Sequence, residues 1–152
     1  MTLSIAAATE NDIPELCALL QVLFQQEAEF SPNVALQARG LAQIISQPNI
    51  GCILLARQHT QAVGMVNLLY TVSTALGGRV ALLEDMLVLP EQRNRGVGSR
   101  LIQQAIITAK QHGCLRITLL TDQDNIKAQG FYQKHGFNAS TMLPMRLDLS
   151  AD

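Results

Sequence analysis

Pro90-Glu-Gln-Arg-Asn-Arg-Gly-Val-Gly-Ser-Arg100 joins an apolar run, residues 80–89, to an amphipathic segment, residues 97–111. The apolar run predicts a strand, and the apolar residues at helical spacing predict a helix. Gly96 and Gly98 carry no side chain, so a ligand can approach their backbone closely. The first N–H groups of a helix lack internal partners, and the helix dipole favours negative charge there. The stretch therefore predicts an anion site, above all for phosphates.

Spacing excludes two common kinds of phosphate site. A P-loop needs a lysine directly after its last glycine, and none follows Gly98. A dinucleotide fingerprint needs a third glycine where this chain has Leu101, and its first glycine directly after a strand. Here six residues separate Leu89 from Gly96, and Asp122 at the place of a ribose-binding acid does not outweigh this gap. On the loop alone, a glycine-rich helix start without a ligand remains an alternative.

Length and composition predict one domain, residues 1–152, with a substantial core, because 48% of the residues are apolar. The net charge of −1 gives no electrostatic support to a nucleic-acid partner. Without a basic leader or a long apolar run, we expect neither a signal peptide nor a membrane span. Cys17, Cys52 and Cys114 are scattered and flanked by apolar residues, which predicts buried thiols in a reducing, cytoplasmic compartment and no metal site.

Hydrophobic periodicity and turn residues predict alternating strands and helices along the chain. The expected elements are, in order, a strand at 3–8, a helix capped at 9–12 and ending near residue 30, a helix at 34–46, strands at 52–57, 63–72 and 80–89, a helix at 97–111, a strand at 115–120, a helix at 126–135, and last strands at 137–138 and 142–149. Short loops make the middle three strands antiparallel, and the crossover through a helix makes the strand at 115–120 parallel to the strand at 80–89.

Three motifs occur in one order: Leu83-Glu-Asp-Met-Leu-Val-x-Pro90, then Arg93-x-x-Gly96-x-Gly98, then Asn125 followed by Phe131-Tyr-x-Lys-x-Gly-Phe137. Together they resemble the GNAT N-acetyltransferase superfamily over residues 80–137. The Leu-Glu-Asp start is most similar to its polyamine and small-amine branch. The resemblance implies a single mixed, mostly antiparallel sheet of six to seven strands, with about four helices on both faces.

The resemblance also implies acetyl-coenzyme A as co-substrate. Its pantetheine arm would lie along the main chain of Met86, Leu87 and Val88, with an N–H near Leu87 as oxyanion donor. The pyrophosphate would be bound by the loop residues Arg93, Asn94, Arg95, Gly96, Val97, Gly98 and Ser99, and Asn125 belongs to the same cofactor site. Arg100 adds charge, although each arginine could equally be a solvated surface residue. Gly130 indicates either close cofactor approach or tight packing.

Two residues are candidates for proton transfer. Glu84 could deprotonate an amine, and Glu84 with Asp85 could bind the acceptor. The alternative is that either carboxylate pairs with Arg79 or caps the sheet opening. Tyr132, in the Phe-Tyr motif, could protonate the departing thiolate, and its alternative is a core aromatic with a hydrogen-bonded hydroxyl.

These expectations combine into an acetyl-coenzyme A-dependent N-acetyltransferase that acts directly on a primary amine of a small molecule in a ternary complex. A route through an acetylated cysteine is disfavoured, since no cysteine has a cationic surrounding. The alternatives are a protein N-terminal or lysine acetyltransferase, and a non-catalytic acyl-coenzyme A-binding domain. A set of acidic residues favours cationic small acceptors, namely Glu27, Glu29, Glu84, Asp85, Asp122 and Asp124. Monomer or homodimer, acyl length and acceptor identity stay open.

Overall fold

In a computed structural model of the chain, which describes residues 2–26 and 33–150, the residues cluster into two compact units, Met1–Leu120 and Thr121–Asp152. The strands are β1 Leu3–Ala7, β2 Gly51–Gln58, β3 Gln61–Ser73, β4 Gly78–Val88 and β5 Ile117–Leu119. The helices are α1 Ile13–Gln26, α2 Val34–Ile45, α3 Val97–Gln111 and, in the second unit, α4 Ile126–Lys134. Short 3-10 turns occupy Glu10–Asp12 and Pro90–Gln92.

The first unit is built on one mixed sheet in the order β1-β2-β3-β4-β5. The β2–β3 and β3–β4 pairs are antiparallel and β4 pairs with β5 in parallel, as predicted from the loop lengths and the helical crossover. The β1–β2 pair is also antiparallel, which the sequence did not predict. Strand residues alternate between two buried faces, which is why β2 and β3 are apolar almost throughout. The predicted mixed, mostly antiparallel sheet is therefore confirmed.

Helices cover both faces of this sheet. On one face, Leu16 and Leu20 of α1 and Leu41 of α2 pack in a core cluster with Ile53 and Met65. On the opposite face α3 packs on β3 and β4. There a Cβ at Gly64 would lie 2.8 Å from the Leu87 carbonyl oxygen and 2.9 Å from Leu101 Cδ1, so only glycine fits between β4 and α3.

The start of α1 is held by polar contacts that link it to β2. The Thr9 amide donates to Asp12 Oδ2 at 2.8 Å, in the capping arrangement predicted from the sequence. Arg57 of β2 donates to Asp12 Oδ1 at 2.7 Å and to both carboxylate oxygens of Glu15 at 2.8 and 2.9 Å. The predicted end of this helix, near residue 30, lies outside the described residues.

The prediction of six to seven strands is wrong for the described part of the chain, which contains five. Residues 137–138 and 142–149 form no strand, and β5 is shorter than the predicted 115–120. The large apolar side chains of residues 142–149 are 71–90% exposed. Alternating apolar residues show only that a segment can pair, because a strand is stable only with a hydrogen-bonded neighbour.

None of the helices in the described ranges is long and apolar enough to cross a membrane.

Candidate active site

Strand β4 contains a bulge at the centre of the sheet. Met65 of β3 lies opposite Leu87, and Asn67 lies opposite Glu84, so two residues of β4, Asp85 and Met86, face one residue of β3. Asp85 has φ 52°, in the left-handed region that aspartate tolerates better than most residues. A bulge bends its strand and turns side chains in new directions, and such features are frequent beside active sites. The sequence did not predict it.

The bulge coincides with the point where β4 and β5 part. β5 pairs only with Ala81–Leu83, and none of the strands in the described ranges pairs with the outer edge of residues 84–88. Alternate N–H and C=O groups of a strand point to each edge. The main chain around Met86, Leu87 and Val88 can therefore bind an extended amide ligand as an added strand would be bound.

The loop between β4 and α3 has the conformation that an anion site needs. Asn94 has φ 63°, in the left-handed region that asparagine tolerates, and Gly96, the N-cap of α3, has φ 82°. Arg93 Nε donates to the Val88 carbonyl at 2.9 Å and fastens the loop to the end of β4. No acidic residue lies in the first turn of α3. A Cβ at Gly96 would meet no atom of the described residues within 4 Å, so its backbone is approachable.

The loop residues differ in what they can offer a phosphate. Arg95 and Arg100 are exposed and can add positive charge. Val97 is 1% exposed because its side chain belongs to the core, so only its main chain is available to a ligand. Gly98 and Ser99 are half-buried in the first turn of α3, where amides lack helical acceptors. The site thus combines oriented amides with mobile positive side chains.

Asn67 is a polar residue that the sequence reasoning missed. It is 3% exposed, and its Nδ2 donates to Asp85 Oδ2 at 3.4 Å. Burial raises the pKa of the Asp85 carboxyl, and the hydrogen bond from Asn67 partly offsets this. One signal was available, since an amide side chain in the middle of an apolar strand is costly without a role.

The alternative in which Asp85 pairs with Arg79 is not what the structure shows. Asp85 contacts Asn67, whereas the Arg79 guanidinium carbon lies 5.1 Å from the centre of the Tyr70 ring. Arg79 Nη1 also donates to the His112 carbonyl at 3.4 Å. Glu84 is exposed at the surface of β4 beside the bulge. Of the acidic set, Glu27 and Glu29 lie outside the described residues.

The second unit holds the remaining predicted residues on and before α4. Asn125 caps the helix, because its Oδ1 accepts from the Ala128 amide at 3.1 Å. Tyr132 is half-buried and meets Phe131 and Phe137 edge to face, with ring centres 5.3 and 5.8 Å apart. Burial raises the pKa of Tyr132 to about 12, so the hydroxyl keeps its proton at neutral pH, as a proton donor must.

The structure bears on two alternatives left by the sequence, namely why residue 130 is glycine and whether a cysteine carries the acetyl group. Apart from its chain neighbours and its own helical backbone, no described atom lies within 4 Å of a Cβ built on Gly130, so close packing within the second unit does not explain that glycine. Burial raises the pKa of the Cys17, Cys52 and Cys114 thiols. Protonated thiols are poor nucleophiles, which supports the prediction that no cysteine carries the acetyl group.

Residues 13–137 match the model of the acetyltransferase (GNAT) family. The chain belongs to this family. An uncharacterized N-acetyltransferase of Bacillus subtilis, YhfO, is 31% identical over 82% of this chain and 85% of its own. The thialysine N-epsilon-acetyltransferase of Sus scrofa is 31% identical over 87% of this chain and 82% of its own. The solved structure of a putative acetyltransferase from Agrobacterium tumefaciens, 29% identical, has a TM-score of 0.80 over 95% of this chain and 99% of its own.

Family membership makes the chain an N-acetyltransferase with the GNAT fold, and the family takes its acetyl group from acetyl-coenzyme A. Three features fit that donor. The open edge of β4 offers partners for the amides of the pantetheine arm, and the positive-φ loop with the first turn of α3 offers partners for the phosphates. The match to a small-amine branch stays a prediction.

Proposed function

We propose that the enzyme transfers the acetyl group of acetyl-coenzyme A directly to a primary amine of a small molecule, with both substrates bound at once. The observation that carries the proposal is the bulge in β4, which sets Glu84 and Asp85 beside an open strand edge that runs straight into the glycine loop. The name of the Sus scrofa relative supports a small acceptor, because thialysine is a small amine.

The donor would be held mainly by the main chain. The pantetheine amides would pair with the outer edge of β4 at Met86, Leu87 and Val88. The pyrophosphate would lie against the first turn of α3, with Arg95 and Arg100 supplying charge. The other groups proposed to contact the phosphates are Arg93, Asn94, Gly96, Val97, Gly98 and Ser99. An N–H near Leu87 would stabilise the developing oxyanion, which is typically worth about 3 kcal/mol.

The acceptor must lose a proton before it can attack, since an alkylammonium has a pKa of about 10. Glu84 would take that proton, directly or through water, and Asp85 would help to bind the cation. The neutral nitrogen would then form a C–N bond to the acetyl carbon, the C–S bond of the thioester would break to release a thiolate, and the nitrogen would lose its second proton to solvent. Tyr132 would return a proton to that thiolate.

Coenzyme A release, measured with a thiol reagent across an amine panel, tests the proposal. The panel comprises thialysine, spermidine, glucosamine 6-phosphate and a lysine-containing peptide. We expect release with at least one small amine, at a kcat/KM at least about tenfold above that for the peptide. Release with the peptide alone would indicate a protein acetyltransferase. Release with no amine, in a protein that binds acetyl-coenzyme A, would indicate a non-catalytic binding domain.

Glu84→Gln should lower turnover of the best amine at neutral pH by roughly 10²-fold, and raising the pH should restore part of the loss. At high pH more of the amine is already neutral, so a base matters less. Glu10→Gln, at an exposed position outside the site, is the matched control and should follow the wild-type pH profile. A profile for Glu84→Gln that is scaled equally at every pH would contradict the role of Glu84 as base.

A further inference from the structure

Asn67 lies in the most deeply buried part of β3. Its neighbours Val66 and Leu68 are fully buried, and Asn67 itself is 3% exposed. Its Oδ1 is sealed from solvent, and none of the described residues donates a hydrogen bond to it. Its hydrogen bond from Nδ2 to Asp85 Oδ2 is long, at 3.4 Å. An unsatisfied buried polar atom lowers the stability of the folded state, so Asn67 is poorly explained as a stabilising residue.

The position of Asn67 connects it to both acidic residues of β4. It is the direct cross-strand partner of Glu84, so the two side chains are on the same face with Cβ atoms about 4.5–5.5 Å apart. Asp85, displaced by the bulge, contacts its amide nitrogen. On the same face, Met65 and Leu87 belong to the apolar core cluster that includes residues of α1.

We propose that Asn67 determines acceptor specificity: its Oδ1 accepts a hydrogen bond from the acceptor nitrogen and holds that nitrogen between Glu84 and Asp85. This assignment rests on the proposed function. A primary ammonium carries three N–H donors, and the three side chains offer three acceptors. When Glu84 removes one proton, the other two N–H bonds stay with Asn67 and Asp85, and the freed lone pair can attack the acetyl carbon.

The contact requires a small movement. Asn χ2 is only softly restrained, so a modest rotation of the amide can turn Oδ1 towards an incoming N–H. A hydrogen bond formed in this water-excluded place is stronger than one in water. This hydrogen bond also discriminates between a primary amine and its N-methyl derivative. The N-methylated amine has one N–H fewer and leaves one buried oxygen without a hydrogen bond.

The test variant is Asn67→Leu, which keeps a branched side chain and removes both polar atoms. Its matched control is Thr108→Val, which removes a buried hydroxyl from α3, where Thr108 is 6% exposed. The thermal unfolding temperature of each protein is measured without ligand, with coenzyme A, and with coenzyme A plus one amine. The amines are thialysine, spermidine and glucosamine 6-phosphate. Coenzyme A lacks the acetyl group, so amine binding is measured without reaction.

We expect Asn67→Leu to unfold at or above the wild-type temperature and to keep its response to coenzyme A. Its added response to the amine should disappear, and KM for the amine should rise about tenfold or more, with a smaller change in kcat. Wild-type enzyme should prefer the primary amine to its N-methyl derivative, and Asn67→Leu should lose most of that preference. Thr108→Val should keep the wild-type amine response and KM.

Three results would overturn the inference. The first is an unchanged amine response and KM in Asn67→Leu. The second is a lower unfolding temperature together with a lost coenzyme A response, because Asn67 would then serve to hold the bulge. The third is the absence of any amine response in the wild-type complex. If amines bind through Asn67 but none is acetylated, the proposed function fails while this inference stands.

Discussion

Asp85 and Asn94 are both non-glycine residues with positive φ, 52° and 63°, and both stand in the proposed donor and acceptor sites. Such a conformation costs of order 1 kcal/mol for an L residue, less for Asp and Asn than for others. At Asn94 the conformation fits the local sequence, because asparagine tolerates positive φ and lies in a glycine-containing loop. At Asp85 the local sequence gives no such signal, because a bulge arises from the register between two strands.

Tyr132→Phe separates the two interpretations of Tyr132, since it removes only the hydroxyl. If the hydroxyl protonates the thiolate, kcat should fall by roughly tenfold or more, while acetyl-coenzyme A affinity changes less than about threefold. The loss stays small because a thiolate, with a thiol pKa of about 8.5, is already a fair leaving group. Because the pKa of Tyr132 is raised to about 12, wild-type activity should show no loss from tyrosine ionisation below about pH 11. Steady-state kinetics across pH measures both.

Tyr70→Phe is a matched control for that substitution. Tyr70 is the other tyrosine of the chain, and burial likewise raises its pKa to about 12. Its hydroxyl is buried and meets no hydrogen-bonding partner among the described residues, so its removal should leave stability unchanged or slightly higher. We expect wild-type turnover in Tyr70→Phe. Equal turnover in both variants would remove Tyr132 from the proton transfer.

At the scale of elements, binding of the donor's phosphates should depend most on the N-terminus of α3. Gly98→Glu places a side chain and a negative charge in the first turn, where the helix dipole and the amides favour an anion. We expect acetyl-coenzyme A affinity to fall by roughly 10²-fold or more, measured by isothermal titration. Gln103→Glu adds the same charge at an exposed position further along α3 and should bind nearly as wild type. Unchanged affinity in a folded Gly98→Glu would contradict the loop assignment.

The Arg57 contacts link α1 to β2, and they should contribute to stability in a pH-dependent way. The amide of Thr9 and then Arg57 hold the pKa of Asp12 below its usual value. A carboxyl with a lowered folded pKa adds stability above its unfolded pKa of about 3.9, and that stability is lost as pH falls through the folded pKa. Arg57→Gln should therefore cost about 1 kcal/mol at pH 7, since the groups are partly exposed.

The same difference between wild type and Arg57→Gln should shrink as pH falls below about 4 and Asp12 protonates. Urea unfolding at pH 7 and at pH 3 measures it, and moderate salt should reduce the pH 7 value. Arg39→Gln, on the exposed side of α2, is the control and should show no difference at either pH. If the stability difference between wild type and Arg57→Gln grew at pH 3, the ion pairs of Arg57 would not be the cause of that difference.

Elements were predictable from the sequence where the signal is local. Helical periodicity and caps placed α2, α3, α4 and the start of α1 within a few residues, and turn residues placed the hairpins. The donor loop was predictable for the same reason. The bulge, the proposed role of Asn67 and the absence of a strand at residues 142–149 depend on which strand lies beside which, and that is decided by packing across the sheet.

For the whole molecule, the clearest contrast is between the buried sheet and the exposed last segment. Met65, between the helices and the sheet, is fully buried, whereas Met142 and Met145 are 84% and 90% exposed. Oxidation of methionine to the sulfoxide requires access of the oxidant to the sulfur. Dilute hydrogen peroxide followed by peptide mass spectrometry should therefore oxidise Met142 and Met145 roughly tenfold or more faster than Met65, which reacts only when the core opens.

Met86 is an internal control in the same experiment, because it is half-buried on the strand edge proposed to bind the donor. Coenzyme A should slow its oxidation while Met142 and Met145 react as before, since a ligand that binds along β4 covers that edge alone. Oxidation of Met142 and Met145 as slow as that of Met65 would show that the last segment is covered in solution, as the alternating pattern of residues 142–149 predicted from the sequence. Unaltered oxidation of Met86 at saturating coenzyme A would instead contradict the placement of the donor along β4.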